Sequence, residues 1–199
     1  LPGKPSDMPT KQAAAAVGQC ELMYTYDKLF LQYNHTVAQV LLTGEDVDHP
    51  ERRENFENTM ERLLELGALP VINENDTIAT AEIKVGDNDT LGAIVACCTK
   101  ADLLVLLSDI EGLYTADPRK DPNAKLIPTV EEVTPEIEAL AGGVGSSLGT
   151  GGMATKLRAA KMVTAQGCDM VITNGEHPER LYDIAEGKDV GTRFVAHKV

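Results

Sequence analysis

The chain has 199 residues, 43% of them hydrophobic and 25% charged, with a formal net charge of -13. Such a mixture suits one soluble globular domain with a sizeable core rather than a disordered chain. The acidic excess argues against nucleic acid or anionic membranes as partners, because both call for basic surface.

The opening residues 1–9 hold three prolines and no initiating methionine, so they read as a loop. A helix is predicted from Thr10 to about Gln32, carrying Ala14, Val17, Leu22, Tyr26, Leu29 and Phe30 at spacings of three and four. The β-branched apolar run Thr36 to Leu42 reads as a strand, and Thr43-Gly44-Glu45-Asp46 as the turn after it. A second helix runs from about Pro50 to Leu66, with Phe56, Met60, Leu63 and Leu64 as its buried stripe and Gly67 as its stop. Leu69 to Asn73 is a short strand ending in Asn73-Glu74-Asn75-Asp76. A helix capped by Asp87 or Asp89 follows and runs to about Thr99. The continuous apolar run from Asp102 to Leu107 fits a strand buried on both faces, and it too ends in polar residues, Ser108-Asp109. Beyond lie a short helix from about Pro135, a glycine-rich loop opening a helix, a strand from Asp169 to Thr173 ending at Asn174, and a short helix from Glu179 to Ala185.

Strands alternating with helices predict an α/β fold, with an open, mainly parallel sheet whose ligands bind at the carboxyl ends of the strands. A covered parallel sheet is expected to begin with an interior strand, whereas this chain begins with a loop and a helix. Upstream β-α material, roughly 60 residues at ~30 per β-α-β unit, is therefore expected to precede it.

The glycine-rich stretch from Leu148 to Ala160 points to phosphate. Its glycines allow close backbone approach, and Met153, Leu157, Ala160 and Val163 then set a helical period, so the loop's N–H groups fall at a helix N-terminus. Lys156 in that first helical turn opposes the helix dipole, a conflict that a bound polyphosphate would remove. The loop matches neither G-x-x-x-x-G-K-[ST] nor G-x-G-x-x-G, and a lysine directed into solvent is the plainer alternative.

Two amide-plus-carboxylate clusters, Asn73 to Asp76 and Asp87-Asn88-Asp89, each read alone as turns or helix caps. Together they suit a zwitterion, with carboxylates for the ammonium and amides for the carboxylate, which points to a small amino acid. Acidic residues near a phosphate loop call for lysines and for Mg²⁺ held through the nucleotide, with phosphoryl transfer as the matching chemistry. Tyr114, beside Ser108-Asp109, suits either a purine or the core. Lys84 reads as a solvated turn residue, and the four histidines are scattered and carry no assigned role. The cysteines Cys20, Cys97, Cys98 and Cys168 show no metal-ligand spacing, so no protein-bound metal is expected. Free cysteines, no signal peptide and no long apolar run point to a cytoplasmic protein without a membrane partner.

Four segments, Val71 to Asp76, Lys84 to Asp89, Leu107 to Tyr114 and Gly149 to Lys156, closely resemble the glutamate 5-kinase branch of the amino acid kinase family, in order and across nearly the whole chain. The resemblance implies a three-layer αβα sandwich and ATP-dependent phosphorylation of the γ-carboxylate of L-glutamate, the first step of proline synthesis. It further implies Mg²⁺, proline as feedback inhibitor and a homo-oligomer, dimer or tetramer. Carried over by position, Asp76 and Asn88, with Asn73 and Asp87 beside them, bind glutamate. Ser108, Asp109 and Tyr114, with Thr150, Gly151, Gly152, Met153, Ala154, Thr155 and Lys156, bind ATP. Lys156 neutralises the moving phosphoryl group, and Asp89 orients the catalytic lysines. Ser108 stands where threonine is also common, which keeps the hydroxyl. The resemblance implies two features this chain does not carry, an opening strand with a lysine and a glycine-rich loop, and a C-terminal RNA-binding-like domain. Without that opening segment the chain alone is expected to be inactive. Another amino acid kinase, for acetylglutamate or aspartate, and a non-catalytic amino-acid-binding module remain alternatives.

Overall fold

The computed structural model describes residues 3, 5–80, 85–141 and 152–197. The chain divides into two compact units, residues 1–85 and 86–199.

In the first unit, Asp7 starts helix α1 (Met8–Leu31) by accepting the Thr10 N–H at 2.9 Å, with a proline in the opening turn. The helix lies where the periodicity places it, but its apolar stripe does not face inward: Val17 is 74% exposed and Leu29 54%. Of that stripe only Ala14 and Phe30 are half-buried; Gln19, also half-buried, meets Gln39 at 3.1 Å and the Asn73 amide at 3.0 Å. Strands β1 (Val37–Leu42) and β2 (Leu69–Glu74) pair in parallel, from Val37 opposite Leu69 to Leu42 opposite Glu74. Between them lie helices α2 (Gly44–Asp48) and α3 (Pro50–Glu65). The turn expected at residues 43–46 is the start of α2. The Asp46 carboxylate accepts both the Thr43 N–H at 2.8 Å and its hydroxyl at 2.7 Å, and so stabilises a helix start where the sequence suggests only a reversal. On α3, Phe56 and Met60 are buried but Leu64 is 59% exposed. At about 100° per residue Leu63 stays in line with Phe56, while Leu64 turns roughly 80° away. Gly67, at φ 71°, closes the helix as expected.

The second unit contains α4 (Asn88–Cys98), β3 (Leu103–Ser108), β4 (Thr129–Val130), α5 (Pro135–Ala141), α6 (Met153–Thr164), β5 (Asp169–Asn174), α7 (Arg180–Ala185) and β6 (Thr192–Phe194). Its strand order is β3-β5-β6-β4; β3 and β5 run parallel, as do β4 and β6, and β5 meets β6 antiparallel. Strands of two and three residues are too short to show alternation, which is why β4 and β6 escape a reading by pattern. The core joins Leu106, Met170, Ile172 and Phe194 of the sheet to Ala93 and Ala96 of α4 and Leu157, Ala160 and Val163 of α6. Leu103 and Leu107 are 38% and 48% exposed, so β3 is not covered on both faces. It stands at the end of the described strand order, where a long apolar run can remain half-covered. Among the described residues no helix is long and apolar enough to cross a membrane.

Gly191 ties β6 to the sheet in a way only glycine permits. Its φ is +65°, and a Cβ there would lie 2.0 Å from the Ile172 carbonyl oxygen and 3.0 Å from that of Glu111. Gly191→Ala combines left-handed strain with a backbone clash and should cost about 3 kcal/mol or more. Urea unfolding of the variant measures this, and a loss below about 1 kcal/mol would mean that the β5–β6 junction relaxes freely.

Candidate active site

The two helices packed against each other in the second unit, α4 and α6, bring their first turns together. The Asp87 side chain caps α4, accepting the Thr90 N–H at 2.8 Å and the Thr90 hydroxyl at 2.9 Å. Asn88 and Asp89 then occupy the first turn, Asn88 exposed and Asp89 half-buried. On α6 Gly152 takes the cap position with extended backbone, and its carbonyl accepts the Thr155 N–H at 3.1 Å and the Lys156 N–H at 3.4 Å. From these turns the Lys156 ammonium donates to Asp89 Oδ2 at 2.8 Å. The Thr155 hydroxyl sits 2.7 Å from that same oxygen and 2.7 Å from the Gly152 carbonyl, able to donate to either. Only 10% of the Lys156 side chain and 15% of the Asp89 side chain are exposed. The lysine therefore does not point into solvent.

The charges are arranged with a purpose that helix physics makes plain. Asp89 near the positive end of α4 is favourable, whereas Lys156 near the positive end of α6 is not. The pair compensates the lysine with one partner and leaves two ammonium protons for others. An anion reaching the start of α6 would find helix N–H groups and that ammonium together.

At the carboxyl ends of the strands, Ser108 of β3 stands opposite Asn174 of β5. Asp109 follows Ser108 and pairs with Arg119 at 3.2 Å, and the Arg119 hydrogen bond holds its carboxyl below the ordinary range. Tyr114 is half-buried, and its backbone forms an antiparallel bridge with Leu126 that ties this loop down. The intervening Glu111 meets Arg180 and accepts from the Asn174 amide at 3.0 Å. Gly112 is required beside Thr192, whose hydroxyl would lie 2.4 Å from an added Cβ; that hydroxyl accepts the Leu113 N–H at 2.8 Å.

In the first unit, Asp76 is half-buried in the turn after β2. Asn73 is already engaged: its amide donates to Gln19 and its carbonyl accepts the Glu74 N–H at 2.9 Å. Glu74, only 7% exposed, accepts the Val85 N–H at 2.6 Å, which makes it a buried carboxylate within the cluster Asn73 to Asp76. The Glu111–Arg180 pair was missed, since 69 positions separate the partners and neither lies in a periodic pattern. Lys84, Thr150 and Gly151 lie outside the described residues. The structure thus brings Asp87, Asn88, Asp89, Thr155 and Lys156 to one helix junction, and Ser108, Asp109 and Tyr114 to one loop.

The model of the amino acid kinase family matches residues 3–174. This chain belongs to the amino acid kinase family. As a member of it, the chain is 52% identical over 202 residues to glutamate 5-kinase of Clostridium perfringens, covering 100% of this chain and 75% of that protein. It is 55% identical over 194 residues to glutamate 5-kinase of Myxococcus xanthus, covering 98% of this chain but only 52% of the relative. The fold of this kinase-family chain is shared with carbamate kinase from Giardia lamblia, at a TM-score of 0.63 and 15% identity over 94% of this chain and 80% of that one. It is shared likewise with isopentenyl phosphate kinase from T. acidophilum, at 0.58 and 18% identity over 89% and 66%.

Proposed function

We propose that the chain serves ATP-dependent phosphorylation of the γ-carboxylate of L-glutamate, yielding L-glutamyl 5-phosphate, the entry step of proline synthesis. The observation that carries this reading is the buried Lys156–Asp89 pair at the joined first turns of α4 and α6. The likeness to bacterial glutamate 5-kinases supports glutamate as the substrate.

The chemistry follows from charge. A γ-carboxylate is ionised at neutral pH, with an ordinary pKa of about 4.3, so the acceptor oxygen is already a nucleophile and needs no general base. What remains is to align two anions and to stabilise charge on the moving phosphoryl group. Lys156 does the second, and Asp89 with Thr155 holds its ammonium in one place so that little reorganisation accompanies transfer. The N–H groups opening α6 and the Ser108–Tyr114 loop bind the nucleotide. Asp76 and Asn88 take the glutamate, Asp76 its ammonium and Asn88 a carboxylate.

Mg²⁺ fits as an ion carried on the nucleotide. Among the described residues no group of three or more His, Cys, Asp or Glu side chains gathers to cage one, and a phosphate-held ion needs few protein ligands. When bound it neutralises phosphate charge. Proline inhibition, a dimer or tetramer and a cytoplasmic setting complete the reading. ADP release with glutamate, ATP and Mg²⁺, assayed for this chain and for the chain in its full-length context, tests the activity. Acetylglutamate or aspartate outrunning glutamate would overturn the substrate.

Asp76→Ala and Asn88→Ala should each raise the KM for glutamate well above any change in the KM for ATP. Each removes a charge-assisted hydrogen bond worth about 1.5–3 kcal/mol. Both KM values are to be measured side by side, and an equal loss for ATP would refute this division of the site.

A further inference from the structure

Glu111 makes a clamp that the proposed chemistry does not use. Its Oε1 accepts the Asn174 amide at 3.0 Å and its Oε2 meets the Arg180 guanidinium, which also reaches the Thr173 hydroxyl at 3.4 Å. Thr173 is fully buried and ends the core segment of β5, while the Asn174 side-chain oxygen Oδ1 accepts the Glu176 N–H at 2.9 Å. One carboxylate therefore fastens the turn after β3 to the end of β5 and the start of α7, beside the point where Gly175 donates its N–H to the Ser108 carbonyl at 2.8 Å. Arg180 first, then Asn174, keeps the Glu111 carboxyl below the ordinary range, so the clamp is charged at neutral pH.

Glu111 lies two residues after Asp109 and three before Tyr114, inside the loop read as the nucleotide wall. We propose that Glu111, through Arg180 and Asn174, is a positioning residue for ATP: it fixes the Ser108–Tyr114 loop in its binding shape without itself touching the nucleotide. The inference rests on the nucleotide reading of that loop. The clamp and the Lys156–Asp89 pair use separate partners.

The test compares wild type with Glu111→Ala, Glu111→Gln and Asn174→Ala, in active enzyme, for both KM values, kcat and melting temperature. Glu111→Ala should raise the KM for ATP about tenfold while glutamate KM and kcat stay within about twofold. Glu111→Gln, which keeps the shape and an acceptor for Asn174 but loses the ion pair with Arg180, should fall between. Asn174→Ala removes one contact only and keeps the question answerable should Glu111→Ala fold poorly. An unchanged KM for ATP, or both KM values rising together with a fall in melting temperature, would overturn the positioning role. The nucleotide reading fails separately, if wild type shows no ATP-dependent rise in melting temperature.

Discussion

Lys156→Ala should lower kcat by about 10²–10³, the range for removing one preorganised donor from a transition-state site, while the KM for ATP changes far less. The reason is where the charge sits. A lysine free in solvent would contribute little, but this ammonium is held at 2.8 Å from Asp89 in a junction where only 10% of the side chain is exposed. Its field acts through few water molecules, and it need not be ordered at the moment of transfer. Lys156→Arg should rescue poorly, since a planar fork cannot occupy a slot shaped for a single ammonium. Steady-state kinetics in active enzyme decide the matter. If alanine leaves kcat intact and only weakens ATP binding, the lysine is a binding group and the catalytic role is wrong.

Local chemistry was legible in the sequence wherever a signal is short-range. Gly67 as the stop of α3 and strands over 36–42, 69–73, 102–107 and 169–173 follow from turn chemistry and apolar runs, and the structure has each within a residue; of the two caps offered for α4, Asp87 or Asp89, it takes Asp87. Patterning failed where tertiary contacts choose the face. The stripe Val17–Leu22–Tyr26–Leu29 announces α1 correctly, yet those four side chains are exposed while Gln19 is half-buried against the Asn73 amide. The candidate site divides in the same way. Glycine and lysine at a helix start are visible as letters, so Lys156 is legible in the sequence. The partnership of Asp89 with Lys156 spans 67 positions, and that of Glu111 with Arg180 spans 69. Neither distance can be read from composition or period; the resemblance carried the first and nothing carried the second.

Asp89→Asn should destabilise the second unit by about 3–5 kcal/mol, the cost of leaving one partner of a buried pair uncompensated. The amide still offers an acceptor to Lys156 and Thr155, so geometry survives and the loss reports charge. Lys156→Met is the complementary variant, leaving the Asp89 carboxylate without its ammonium. Combining the two removes both charges and places a similar volume in the junction, so most of the stability should return. A coupling of about 1.5 kcal/mol or more across this cycle would express the pair. Activity should not return with it, because the recovered fold has no cation at the start of α6. Urea midpoints for the wild type, both single variants and the double variant, with kcat for each, separate the two roles. A single-variant loss under about 1 kcal/mol, typical of a solvent-exposed pair, would mean that the junction is wetter than its burial implies and that Asp89 does not hold the lysine.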